Sequence, residues 1–119
     1  MADVLIIDDD EDQRIISYKI IKNLQYSVTT VSGGNEAVKY LKNNTADLIV
    51  LDMIMPPGIG GLETYKQIKE INPEQKAIIV SGYAATKDVK EVQRLGAGKF
   101  IKKPYTIEGI GRAIFEELN

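Results

Sequence analysis

The chain has 119 residues, with 44% hydrophobic and 27% charged side chains and a formal net charge of -2 at pH 7. That balance suits a globular domain and gives no general attraction to nucleic acid or anionic membrane. Cysteine and histidine are both absent, which removes disulfides, thiolate nucleophiles, Ser-His-Asp triads and the usual zinc ligands. No apolar run approaches the ~20 residues of a membrane span, and the N-terminus does not read as a signal peptide. The expectation is one soluble, cytoplasmic domain over residues 1–119. Its chemistry must use carboxylates, lysines, hydroxyls and a bound ion.

Val4-Leu-Ile-Ile7 is a short apolar run that ends in Asp8 and Asp9, and it predicts a buried strand. Asp10 or Glu11 can cap the helix that follows, with acidic residues favoured in its first turn. That helix carries Ile15, Ile16, Ile20 and Leu24, read as one face, and ends near Asn23 to Gln25. The β-branched run Ser27–Val31 predicts a second strand, and Ser32 to Asn35 a turn. Glu36 to Leu41 is read as a short helix with Ala37, Val38 and Leu41 inward.

Leu48-Ile-Val-Leu51 is apolar throughout and runs directly into Asp52, the pattern of a strand covered on both faces. Prolines and glycines end it. Gly61-Leu62 opens a helix with Leu62, Tyr65, Ile68 and Ile71 at steps of three, which Asn72-Pro73 stops. Ala77–Val80 predicts a fourth strand, ending in Ser81-Gly82. Thr86 can cap a helix from Lys87 to Leu95, with Val89, Val92 and Leu95 as its stripe and Gly96 and Gly98 at its end. Lys99–Lys102 predicts a fifth strand and Lys103-Pro104 follows. Thr106 caps a last helix with Ile107, Ile110, Ile114 and Leu118 on one face. Five alternations of strand and helix argue an α/β fold, a doubly wound parallel sheet with helices on both faces.

In such a sheet Asp8, Asp9, Asp52 and Ser81, with Lys103 just beyond the fifth strand, all lie at one edge, where ligands bind. Two carboxylates about 4 Å apart repel by roughly 4 kcal/mol at an effective dielectric near 20. Lys103 supplies one compensating charge, and a hard divalent cation such as Mg²⁺ supplies two. A carboxylate beside Mg²⁺ can take a phosphoryl group as an aspartyl phosphate, with Lys103 and the Ser81 hydroxyl on other phosphate oxygens.

Val4-Leu-Ile-Ile-Asp-Asp9, Leu51-Asp52 with Met55-Pro56, Val80-Ser-Gly-Tyr83, Gly96-Ala-Gly98 and Phe100-Ile-Lys-Lys103-Pro104 together resemble the receiver domain of two-component response regulators. The resemblance covers essentially the whole chain. It implies a five-stranded (βα)5 flavodoxin-like fold with strand order 2-1-3-4-5. It implies Asp52 as phosphoacceptor, served by a histidine kinase or histidine phosphotransfer domain. It also implies Mg²⁺, with Mn²⁺ as a substitute, held by Asp9, Asp52 and the backbone carbonyl of Ile54, with Asp8 acting through water. Ser81 and Phe100 would switch on phosphorylation, moving the surface of the fourth helix, fifth strand and fifth helix, and Lys103-Pro104 would be cis. Tyr83 is a candidate to cover the pocket mouth. The stretch Lys103-Pro-Tyr105 is similar to receivers at the C-terminus of hybrid histidine kinases. The downstream partner is not named by the residues, and neither nucleic acid nor membrane contact is expected of this domain.

The segment Met55-Pro-Pro-Gly-Ile-Gly-Gly61 departs from the family by one added residue and a missing Asp. Three readings compete: a phosphorylatable signalling domain that is not itself an enzyme, a small Mg²⁺-dependent phosphatase or phosphotransferase, and a degenerate receiver that only binds a partner. The phosphatases carry a second Asp two residues after the nucleophile, where this chain has Ile54. The intact Asp8, Asp9, Asp52, Ser81 and Lys103 argue against degeneracy. Asp10, Glu11 and Asp12 read as a solvated helix start, and Tyr18, Tyr26, Tyr40 and Tyr65 as packing or surface residues.

Overall fold

The computed structural model describes residues 1–54, 59–82 and 87–119. The elements alternate without exception: β1 (Asp3–Ile7), α1 (Glu11–Asn23), β2 (Ser27–Val31), α2 (Gly34–Asn43), β3 (Leu48–Asp52), α3 (Gly61–Ile71), β4 (Ala77–Ser81), α4 (Lys87–Arg94), β5 (Phe100–Lys102) and α5 (Ile107–Leu118). All strands pair in parallel, in the order β2-β1-β3-β4-β5. The chain therefore runs outward from β1 to β2 and then returns across the sheet. The crevice between β1 and β3 is the point where strand order reverses.

The central strands are continuous apolar runs because both of their faces are covered. Leu5, Ile7, Ile49, Leu51 and Ile79 pack with Ala37, Leu41, Tyr65, Ile68, Val89 and Val92 on the α2–α3–α4 side. The alternate residues Val4, Ile6, Leu48, Val50, Ile78 and Val80 pack with Ile21, Ile110, Ala113 and Ile114 on the α1–α5 side. The period of two along each strand thus divides one sheet between two cores. Each fully buried Leu or Ile contributes about 1.5–3 kcal/mol of transfer free energy.

Two glycines hold the helices at their distances. Gly34 opens α2 against Thr64 and Ile59, and a Cβ there would collide with both. Gly96, after α4, has φ +120°, a conformation L side chains rarely adopt. Asp10 caps α1 through its side chain on the Gln13 amide, and Thr106 caps α5 on the Gly109 amide. The Thr86 cap falls outside the described residues.

Several helix faces differ from the sequence reading. α1 buries Ser17 and Ile21 while Ile15 and Ile16 are exposed; Ile20 and Leu24 are half-buried. α3 buries Gly61, Thr64, Tyr65 and Ile68, leaving Ile71 exposed, and α5 buries Ile110, Ala113 and Ile114, leaving Ile107 exposed. An apolar count fixes a helical stripe only to within one residue of phase, and the sheet selects among the alternatives. α2 begins at Gly34, two residues before Glu36, and β5 begins at Phe100, one residue after Lys99. No described helix is long and apolar enough to cross a membrane.

Candidate functional site

Three sheet strands deliver their carboxyl ends to one crevice, and backbone hydrogen bonds fix each end. The Asp8 amide donates to the Val31 carbonyl (3.2 Å), the Met53 amide to Val80 (3.0 Å) and the Lys103 amide to Ser81 (2.7 Å). The last bond seats Lys103 directly against the end of β4. Lys103-Pro104 is cis, as the resemblance implied.

Within this frame Asp8, Asp9 and Asp52 each present a carboxylate oxygen, and the three oxygens lie within 4.8 Å of one another. Asp8 and Asp52 are buried and Asp9 is exposed. The Lys103 ammonium donates to Asp8 Oδ2 at 2.6 Å and to Asp52 Oδ2 at 3.1 Å. The other oxygen of each buried carboxylate takes a backbone donor: Asp52 Oδ1 accepts from the Ile54 amide (3.0 Å) and Asp8 Oδ1 from the Asp10 amide (3.0 Å). Ile54 itself is exposed at the rim. Three hard oxygen donors with no nitrogen or sulfur among them suit Mg²⁺ or Mn²⁺.

The electrostatics follow from burial and pairing. Burial raises the Asp52 carboxyl above its ordinary value, and the Asp8 charge adds to that; the Ile54 amide and Lys103 oppose it without cancelling it. Burial alone would lower Lys103, but its bonds and charges shared with Asp8 and Asp52 outweigh that and raise it. Lys103 therefore stays a cation between two buried carboxylates.

Ser81 closes β4 and is buried beside this cluster. Phe100 is half-buried at the start of β5 and packs on the α2–α3–α4 core. Tyr83 and the segment 55–58 lie outside the described residues.

Three supporting contacts escaped the sequence reading. Arg14 donates from Nη1 to the Asp8 carbonyl at 2.8 Å, which ties the first turns of α1 to the end of β1. The Ser17 hydroxyl pairs with the Tyr105 hydroxyl, which joins α1 to the segment that carries Lys103. The Asp10 amide orients Asp8. A buried serine in the middle of an apolar helical face was the available signal for the second.

The profile described as "Response regulator receiver domain" matches residues 4–115. Sporulation initiation phosphotransferase F of Bacillus subtilis is 30% identical over 111 residues, which is 93% of this chain and 89% of that protein. The autoinducer 1 sensor kinase/phosphatase LuxN of Vibrio harveyi is 29% identical over 116 residues, which is 98% of this chain but 13% of that protein. This chain thus spans only a small part of some curated relatives it matches. Among solved structures, a response regulator receiver domain protein from Clostridium thermocellum superposes with a TM-score of 0.91 at 26% identity, covering 100% of this chain and 95% of that one.

Proposed function

The chain belongs to the response regulator receiver domain family, and from that premise we propose that Asp52 accepts a phosphoryl group from a phosphohistidine on a partner kinase or phosphotransfer domain. The observation that carries this reading is Lys103 bridging two buried carboxylates, Asp8 and Asp52, with Asp9 beside them at the switch point of the sheet. Receivers as a family are phosphoacceptors that bind Mg²⁺ at an acidic pocket. In this chain Asp9, Asp52 and the Ile54 carbonyl would hold the ion, with Asp8 acting through water. The bound ion would neutralise charge shared by carboxylate and phosphoryl oxygens in the transition state.

The remaining steps belong to the chain. An oxygen of the Asp52 carboxylate attacks phosphorus in line. The P–N bond breaks, its electron pair leaves with the imidazole nitrogen, and that nitrogen is protonated. Asp52 then carries an acyl phosphate. Lys103 moves its donors from Asp52 to a phosphate oxygen, and Ser81 supplies a hydroxyl to another. Ser81 and Phe100 carry the change outward to the surface of α4, β5 and α5. On this reading residues 1–119 act as one cytoplasmic signalling domain, not as a turnover enzyme, with neither nucleic acid nor membrane as a partner. Ile54 stands where a phosphatase of this chemistry would carry its acid–base Asp, which favours the signalling reading.

Intact mass after incubation with acetyl phosphate tests the proposal. One added phosphoryl group is expected for the wild type with Mg²⁺, and none without Mg²⁺ or in Asp52→Asn. Labelling that persists in Asp52→Asn would overturn the assignment of the acceptor. A wild type that stays unlabelled even by a phosphohistidine donor would overturn the phosphoacceptor reading.

A further inference from the structure

α2 and α3 pack together and end at the amino edge of the sheet, the edge opposite Asp52. The loops that leave them carry the chain into β3 and β4. Between these helix ends lies a cavity of about 260 Å³. Leu41 and Ile68, both core residues, form its apolar wall, with the more exposed Ile71 beside them. Asn44 and Asn72 line it from exposed positions and Gln75 from a buried one. An apolar cavity of about 150 Å³ is enough to take benzene, so the space here admits a small ring compound.

Gln75 is the unusual residue in this lining. It is 4% exposed, and its Nε2 donates to the Ala46 carbonyl at 3.0 Å and to the Lys76 carbonyl at 3.1 Å. Both neighbours are acceptors, so the amide has one orientation and both of its protons are used. No described residue donates to its oxygen. That oxygen is not enclosed by the core, as the Tyr65 hydroxyl is; the space that Gln75 borders is the cavity. An acceptor so placed calls for a donor from outside the chain.

The surrounding charges select the kind of donor. Among the described residues no charged side chain lines the cavity. Helix C-termini carry partial negative charge, which disfavours an anion. Lys42 and Lys69 stand in the last turns of α2 and α3 and already answer that charge, Lys69 by donating to the Pro73 carbonyl. A cation entering the cavity would shed water and meet no carboxylate in return.

We propose that this cavity binds a small uncharged molecule with an apolar ring body and one N–H or O–H group. The ring lies against Leu41, Ile68 and Ile71, and the donor meets Gln75 Oε1. The site is separate from the carboxylate crevice and does not depend on what Asp52 does.

Indole and 1-methylindole test the proposal, because they share a ring body and differ in the single N–H. Backbone amide signals are followed by NMR as each compound is added. Indole should shift residues 41–45 and 68–76 and saturate at roughly millimolar concentration or below. Binding of 1-methylindole should be about tenfold weaker or more, since it covers the Gln75 oxygen without giving it a donor. Ile71→Trp sets a bulky ring of the protein's own beside the cavity from an exposed position. It should keep the melting temperature and lose the indole response. Gln75→Leu should abolish the preference for indole over 1-methylindole. It also leaves the Ala46 and Lys76 carbonyls without their donor; should it fail to fold, the wild-type comparison and Ile71→Trp decide the matter. No response to indole up to its solubility limit would overturn the proposal and leave the oxygen to water. So would equal binding of the two compounds, shifts centred away from the ends of α2 and α3, or an undiminished response in Ile71→Trp.

Discussion

Two of the places where described residues bury polar atoms do so in opposite ways. At the β1–β3 crevice, Asp8 and Asp52 are buried with every charge answered by Lys103 or a backbone amide. On α3, Tyr65 is fully buried and its hydroxyl has no hydrogen-bond partner among the described residues. It lies under Gly96, with burial and then the Glu117 charge raising its pKa. The crevice is a network in which removing its cation, Lys103, strands both carboxylates. The tyrosine oxygen is a single unpaired atom whose removal strands nothing.

Substitution sharpens the contrast. Lys103→Met should show the largest effect, a loss of about 3 kcal/mol in denaturant melts without metal, because two buried carboxylates lose the cation that both are paired with; added Mg²⁺ should recover part of it. Asp52→Asn should act in the other direction, gaining about 1 kcal/mol at neutral pH as a buried charge is removed. The sign follows from the raised carboxyl. Its ionisation destabilises the fold as pH rises through the folded-state value, so the gain over wild type should vanish below the ordinary carboxylate range, where Asp52 is protonated folded or unfolded. A gain that persists in acid would attribute the effect to something other than charge. Tyr65→Phe should be neutral or stabilising by up to about 1 kcal/mol, and a clear loss would show that the hydroxyl has a partner. Asp9→Ala, at an exposed position, should leave stability nearly unchanged yet abolish the response of the melting temperature to Mg²⁺.

Much of this was legible in the sequence, for identifiable reasons. β3 and β4 are buried on both faces, so their apolar runs located them, and Asp52 was placed because its strand ends there. The carboxylates and Lys103 followed from the rule that parallel strands share one carboxyl edge. Helix faces were less legible. Ile15 and Ile16 look like core in a linear reading, but the sheet meets α1 at Ser17 and Ile21. The Ser17–Tyr105 bond was invisible because its partners lie 88 residues apart, and nothing in either local segment specifies the other.

The strand that leads into Lys103 is also the least secured. β5 has three residues and one neighbour, β4, whereas β3 has five buried residues and a paired strand on each side. Protection of backbone amides from exchange should therefore grade across the sheet, greatest at β3 and least at β5. A disturbance entering at Lys103 meets the softest part of the sheet first. The interior can stay fixed while the rim responds, so opening at β5 should cost well below the unfolding of the whole domain.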